Sequence, residues 1–359
     1  MEGSHAGAEA RLRLGITLLN DRRLDEAAVA LDGVEAAGAD ANECAGARWF
    51  LAMLRGNFEV AWCASDRIRA QGRPDPHRFW QGESIRGKRV MIRCLHGFGD
   101  AVQMLRLLPM VREQAAYVVV QTAPALAPLV RCLRGADAVI SWAEEAEVQS
   151  PEPPWEVQVE VMELPYLLRL RVEQLPYVRR YLELPVEACR RALEHLRADE
   201  EMSGGRPFRV GVVWAAGGWN PTRSIPVTDL AELIPLAGEG RVAFWSLQGP
   251  GASGEARSLF EEGTLRDGSR ATAGVVALAA SIAAMDLVIT VDTFAAHVAG
   301  ALGVPVWVLL EERADWRWMH ARLDSPWYPS VRLFRCGAGE TWPELVRRVR
   351  QELAARLAG

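Results

Sequence analysis

The stretch MDLVITVDTFAAHVAGALGVPVWVLL, residues 285–310, narrows the fold more than any other part of the chain. Leu287–Val291 and residues 304–310 are continuous apolar runs rich in β-branched side chains, the pattern of strands covered on both faces. Between them, Ala295, Ala296, Ala299 and Gly300 recur at helical spacing. Two buried strands joined by a helix form a parallel crossover, which places the chain in the α/β class. A carboxylate, a hydroxyl and an imidazole (Asp292, Thr293 and His297) stand where the first strand hands over to the helix.

The same grammar runs twice. KRVMIRCL reads as a strand, HGFGD as a loop and AVQMLRLLPMVREQ as a helix; YVVVQT, PALAPLVRCLRG and DAVISW continue a βαβαβ series. Residues 143–185, rich in Glu and Pro, resist assignment, and VEACRRALEHLRA reads as a helix running into the break SGGRP. The pattern then restarts with FRVGVVWAA, the polar loop GGWNPTRSIP, the helix VTDLAELIPLAG, the strand VAFWSLQ and a helix within GVVALAASIAAM. TWPELVRRVRQELAARL reads as a closing amphipathic helix. The expectation is two doubly wound α/β halves.

Ahead of them, the first 70 residues are rich in Ala, Leu, Arg and Glu and read as all-helical. Leu24 and Ala27 in NDRRLDEAAVAL recur as Phe58 and Ala61 in LRGNFEVAWCAS, 34 residues on, the period of tetratricopeptide helix pairs. A generic helical hairpin is the plainer alternative, and two units are too few for a free-standing solenoid, so they are expected to pack on the rest of the chain. The expected division is a helical region over 1–70, a Pro- and Gly-rich linker over 71–87, a first α/β domain over 88–203 and a second over 204–359.

Composition excludes several classes. A net charge of −5 argues against a general nucleic-acid partner, and no apolar run is long enough for a transmembrane helix. The N-terminus lacks the apolar core of a signal peptide, and a cytoplasmic location is expected. The six cysteines form no CxxC pair, so neither a disulfide framework nor a zinc site is indicated. Lys88 is the only lysine, so a phosphate clamp must come from arginine, backbone N–H groups or helix ends.

Ligands of open parallel sheets bind beyond the carboxyl ends of the strands. Three polar clusters fall there: His96-Gly97-Phe98-Gly99-Asp100, the loop 217–223 with Ser224, and Asp292-Thr293 with His297. Each has a plainer reading. Gly97 and Gly99 turn the chain, Asp100 caps a helix, and Asp292 and Thr293 cap the next. The first loop lacks the full GxGxxG of a nicotinamide site, which counts against a dehydrogenase. Arg223 suits bidentate contact with phosphate; its alternative is a solvated surface arginine. Trp214, Trp219, Trp316, Trp318 and Trp327 are candidates to stack on a base or sugar, and Trp316 is preferred among them, although most large aromatics fill cores.

The stretches GNFEVAW, HGFGDAVQMLRLLPMV, GVVWAAGGWNPTRSIPVTDLAELIPL, FWSLQ, the opening 26-residue segment and DWRWMHARLDSPWYPSVRLFR together resemble the heptosyltransferase-like glycosyltransferases of family 9. More closely, they resemble bacterial members in which tetratricopeptide repeats precede such a domain. The resemblance implies a GT-B fold of two Rossmann-like halves with a nucleotide-sugar between them. It implies inverting transfer without a metal or other cofactor, and Asp100 as general base. It further implies donor contacts from Asp292 and Thr293, with His297 and Arg223 at matching positions; Gly97, Gly99, Trp214, Ser224, Gln248 and Trp316 complete the candidate donor contacts. Heptosyltransferases often carry a lysine in the loop after the first C-terminal strand, whereas here the matching position is Arg223. That departure leaves the sugar open, with ADP-heptose as the family's usual donor. The acceptor stays open among a small molecule, a saccharide and a protein, and the helical region is read as a holder of a protein acceptor or as a homodimer contact. The rivals are a non-catalytic nucleotide-sugar-binding adaptor of the same fold and a two-lobed epimerase.

Overall fold

The computed structural model describes residues 2–71, 80–142, 155–176, 178–201, 206–217, 221–233, 242–248, 256–268 and 274–358. The chain divides into two compact units. One consists of Met1–Gly82, Glu163–Leu175 and Glu312–Arg322, the other of Glu83–Met162, Pro176–Glu311 and Leu323–Gly359.

The first unit opens with helices α1 (Glu2–Asn20), α2 (Leu24–Leu31), α3 (Ala41–Leu54) and α4 (Phe58–Gln71). α2 and α4 begin on the two residues that the 34-residue offset pairs, and Leu24, Ala27, Phe58 and Ala61 are all buried. The turn before each helix holds one residue at positive φ, Arg22 at 59° and Gly56 at 71°, so the repeat extends to backbone conformation. Asp40 caps α3, accepting a hydrogen bond from the Glu43 N–H at 2.8 Å. Within this unit Glu163–Leu175 is tied to α4: the Trp62 indole N–H donates to the Leu170 carbonyl at 2.7 Å, and the Tyr166 hydroxyl donates to Asp66 at 2.6 Å.

The second unit carries two parallel sheets. The first lobe runs β1 (Arg89–Arg93), α5 (Phe98–Met104), a 3-10 turn, α6 (Leu108–Arg112), β2 (Tyr117–Thr122), α7 (Ala127–Val130), β3 (Ala138–Ser141) and β4 (Val157–Glu160), with strand order β3-β2-β1-β4. After β4 the short α8 (Leu164–Leu167) belongs to the helical unit, and the chain returns through α9 (Val186–Glu201). The second lobe runs β5 (Phe208–Val213), α10 (Val227–Leu230), β6 (Val242–Ser246), α11 (Arg257–Glu261), β7 (Leu265–Asp267), α12 (Val275–Ala283), β8 (Leu287–Val291), α13 (Phe294–Leu302), β9 (Val306–Leu310), β10 (Val331–Arg335) and α14 (Trp342–Ala358). Its strand order is β10-β9-β8-β5-β6-β7, and every strand pair in both sheets is parallel. The two-lobed α/β fold expected from the sequence is thus the one observed.

The strand orders fix where a ligand can sit. β1 and β4 are adjacent but far apart in the chain, as are β5 and β8, so each lobe has one switch point there. The loops after β1, β5 and β8 are the three polar clusters noted above. α9, grouped by sequence with the first lobe, instead packs on α12, and its His195 Nε2 donates to the Asp267 carbonyl of β7, 3.2 Å away. α14 closes the second lobe by burying Leu345, Val346, Val349 and Leu353 in that lobe's core. Among the described residues no helix is long and apolar enough to cross a membrane.

Candidate active site

α5 and α13 pack directly on one another, one from each lobe. Both start at a switch-point strand, so their packing brings two polar strand ends together. A glycine makes the approach feasible. A Cβ on Gly99 would lie 2.6 Å from His297 Cδ2 and 3.3 Å from Nε2, closer than side chains normally pack. Next to them Phe98 and Phe294 meet edge to face, with ring centroids 6.0 Å apart. The first turn of α5 is closed by Asp100, whose Oδ2 accepts the Gly97 N–H at 3.1 Å. The plainer reading made Asp100 the N-cap; instead Gly97 is the N-cap and Asp100, third in the helix, bonds back to it, which fixes the carboxylate in the first turn.

The α13 end is built from the close of β8. Thr293 is the N-cap, yet its side chain makes no cap hydrogen bond; its Oγ1 lies 3.0 Å from Thr290 Oγ1 instead. The N-terminus of α13, the positive end of its dipole, is thus not capped by the Thr293 side chain. Asp292 forms an ion pair with Arg223 at 2.9 Å, so the loops after β5 and β8 are joined by opposite charges. Arg223 is neither a solvated surface arginine nor held only by a ligand, and its side chain is 27% exposed.

Two residues expected to touch a donor hold the β5 loop in shape. Gln248 Oε1 accepts the N–H groups of Trp214 and Ala215 at 3.2 and 3.0 Å, while its Nε2 donates to the Ala215 carbonyl. Ser224 Oγ accepts the Ala216 N–H at 3.0 Å. Trp214 is 1% exposed and sits in the core with Ile225 and Leu230, so its ring offers no face for stacking. Trp316 belongs to the helical unit. It meets Trp49 edge to face at 5.6 Å and packs on the helical core. Trp318 and Trp327 are fully buried, and Trp219 lies outside the described residues.

Around His297 and His96, which sequence reasoning did select, the structure adds residues that it did not. His297 is buried, and its Nδ1 lies 3.0 Å from the Tyr328 hydroxyl. The Tyr328 ring fits against Gly300, where a Cβ would come within 2.4 Å of the ring. Arg106, 3% exposed, stacks its guanidinium over Tyr328 and Tyr181, 5.3 Å from each ring. At the end of β4 Glu160 is buried, with His96 Nε2 3.7 Å from its carboxylate. Arg93, Gln121 and Glu160 share one register row, and Arg93 Nε donates to Gln121 Oε1 at 2.9 Å. Cys94, beside them, is no nucleophile: burial, reinforced by the Glu160 charge, pushes its thiol far above the ordinary range. Among the described residues no three His, Cys, Asp or Glu side chains cluster as metal ligands do.

Comparison with known proteins finds solved structures of like fold. A glycosyl transferase family 9 structure from Veillonella parvula matches 77% of the chain and 98% of its own length, with a TM-score of 0.58 and 13% identity. The ADP-heptose lipopolysaccharide heptosyltransferase II of E. coli matches 75% of the chain and 98% of its own length, with a TM-score of 0.56 and 14% identity. At these identities the likeness is one of fold. In sequence, Protein FlbA of Caulobacter vibrioides is 26% identical over 326 residues, covering 84% of the chain and 53% of FlbA. The chain therefore spans about half the length of that curated relative. No family model matches the chain.

Proposed function

We propose that the chain is a glycosyltransferase. It moves a sugar from a nucleotide-diphosphate sugar to an acceptor hydroxyl or amine, with inversion and without a metal. The observation that carries this reading is the α5–α13 contact. It brings the helix that carries Asp100 in one lobe against the helix that follows Asp292, partner of Arg223, in the other. A base on one side of an anomeric carbon and a cationic site on the other is what an in-line displacement requires.

In that reaction the acceptor O–H or N–H bond breaks and its proton passes to Asp100. The acceptor atom bonds to the anomeric carbon, and the bond from that carbon to the diphosphate oxygen breaks, its electron pair leaving with the phosphate. Arg223 and the first N–H groups of α13 neutralise the growing charge. Asp292 suits the hydroxyls of the donor sugar, and a diphosphate competes with it for Arg223. Gln248 and Ser224 act indirectly, by holding the loop that carries Arg223. The two glycosyltransferases of like fold support the reading, and the named donor of one of them makes ADP-heptose the first sugar nucleotide to try.

Asp100→Asn tests the reading. The substitution keeps an oxygen to accept the Gly97 N–H and removes the basic carboxylate, so folding and donor binding should persist. Transfer should fall about 10²–10⁴-fold, the usual contribution of a positioned base. Full transfer by the variant would remove Asp100 from the mechanism.

A further inference from the structure

A short 3-10 turn, Pro221–Arg223 in the loop after β5, reaches the ends of two neighbouring strands. Arg223 pairs with Asp292 beyond β8 at 2.9 Å, and the Thr222 hydroxyl donates to Glu311 Oε2 beyond β9 at 3.2 Å. β8 and β9 run in parallel register with Val291 opposite Leu309, so Asp292 and Glu311 stand at one edge of the sheet. That is the edge at which open α/β sheets hold ligands. The displacement uses Arg223 and Asp292 and leaves Glu311 without a task. Yet Glu311 is half-buried, and among the described residues its polar partner is the Thr222 hydroxyl, with no cation paired to it.

This arrangement is a poor one for phosphate alone. Across these side chains one guanidinium meets two carboxylates, and the second carboxylate repels a diphosphate seated on Arg223. A carboxylate is of use there against a ligand that also brings hydroxyls. Its two oxygens offer about four acceptor positions, of which Thr222 occupies one, so two adjacent O–H groups can each donate to it in charge-assisted bonds. An acidic residue holds the ribose of a dinucleotide by the same chemistry in doubly wound folds. Thr222 and Arg223 are consecutive, with Cα atoms about 3.8 Å apart, so a phosphate on Arg223 and a diol on Glu311 can belong to one ligand of nucleotide size. The order of contacts, Asp292–Arg223–Thr222–Glu311, also follows the covalent order of a donor: sugar, diphosphate, ribose.

We infer that Glu311 binds the vicinal diol of the donor's ribose and makes the site selective for ribonucleotide over deoxyribonucleotide donors, an inference that rests on the transferase reading. Glu311 is then a specificity-determining residue, and Thr222 positions its carboxylate.

Calorimetric titration of the full chain tests this with ADP, GDP, UDP and CDP, each beside its 2′-deoxy counterpart, and with inorganic pyrophosphate. The parent should bind its preferred ribonucleotide about tenfold or more tighter than the deoxy form, because a hydrogen bond to a charged acceptor is lost. In Glu311→Gln, whose amide oxygen still accepts from Thr222, that ratio should shrink toward one. Pyrophosphate carries no diol and should bind the variant as well as the parent or better, since a like charge is gone. Equal binding of the ribo and deoxy forms by the parent overturns the inference and leaves the transferase reading intact, as does an unchanged ratio in Glu311→Gln. Loss of pyrophosphate together with the nucleotides would make Glu311 a structural prop of the loop and overturn it too. If no nucleoside diphosphate binds the parent, the transferase reading and the inference fall together.

Discussion

Gly99 and Gly97 lie two residues apart in one loop, yet they face different demands. Gly97 has φ −62°, open to any residue, and an added Cβ would meet only the flexible end of Asp100 at 3.2 Å. At Gly99 the added Cβ meets a ring that Tyr328 pins from behind. Gly99→Ala should therefore destabilise by about 1–3 kcal/mol, the usual penalty of overpacking, and depress transfer, while Gly97→Ala stays close to the parent in both. Urea unfolding and a transfer assay on the pair check this. Arg223→Met removes the cation from the 2.9 Å pair with Asp292. Donor affinity should fall about tenfold or more, since charge-assisted bonds to phosphate contribute about 1.5–3 kcal/mol each; calorimetric titration measures it. At this scale the sequence was legible where polar side chains gather at a strand end. Asp100, Asp292, Thr293 and His297 announce themselves by following apolar runs. Tyr328, Tyr181 and Arg106 do not, because their partners lie far away in the chain, beyond any local period. Trp214 misleads for a related reason: residue type does not reveal whether a ring faces a cleft or a core.

Elements with strong periodicity were readable almost to the residue. YVVVQT is β2, LVITV is β8, and the 34-residue offset marks the starts of α2 and α4. β4, β7 and β10 escaped. β4 alternates polar and apolar residues inside a Glu- and Pro-rich stretch, β7 has only three residues, and β10 is an edge strand with Arg332 exposed. Short and marginal strands are specified by their neighbours more than by their own pattern. α13 shows how an element end is fixed. It stops at Gly303, in the left-handed conformation at φ 70°, where a Cβ would approach the Arg179 carbonyl oxygen to 2.3 Å. Gly303→Ala should thus cost more stability than a left-handed alanine alone, about 1 kcal/mol, and urea denaturation reads the difference. Trp316→Ala tests the placement of the segment after β9. It should weaken the helical unit through lost contact with Trp49 and the α1–α3 core, leaving the donor Kd unchanged. A large loss of donor affinity would return Trp316 to the list of donor contacts.

For the whole molecule, the sequence made the two lobes legible because each repeats strand, polar loop and helix. It did not reveal that Glu163–Leu175 and Glu312–Arg322 fold with the N-terminal helices, since neither segment carries a helical repeat of its own. Within that unit Arg169 hydrogen-bonds Asp66 and holds its carboxyl below the usual range, helped by Tyr166 and opposed by burial. A carboxyl lowered on folding adds stability above its ordinary pKa and loses it as pH falls toward the lowered value. Both side chains are about half exposed, so the effect is small. The stability gap between the parent and Asp66→Asn should be full at neutral pH and close in acid, as pH-dependent unfolding would record. The central claim is that the cleft binds a nucleotide-sugar and uses it. Its most direct test is thermal unfolding against a panel of sugar nucleotides and bare nucleotides, with and without EDTA. The account predicts that one sugar nucleotide raises Tm whether or not EDTA is present, by about 2.7 kcal/mol of added stability at a hundredfold excess over Kd. A flat response to every nucleotide at millimolar concentration would contradict it.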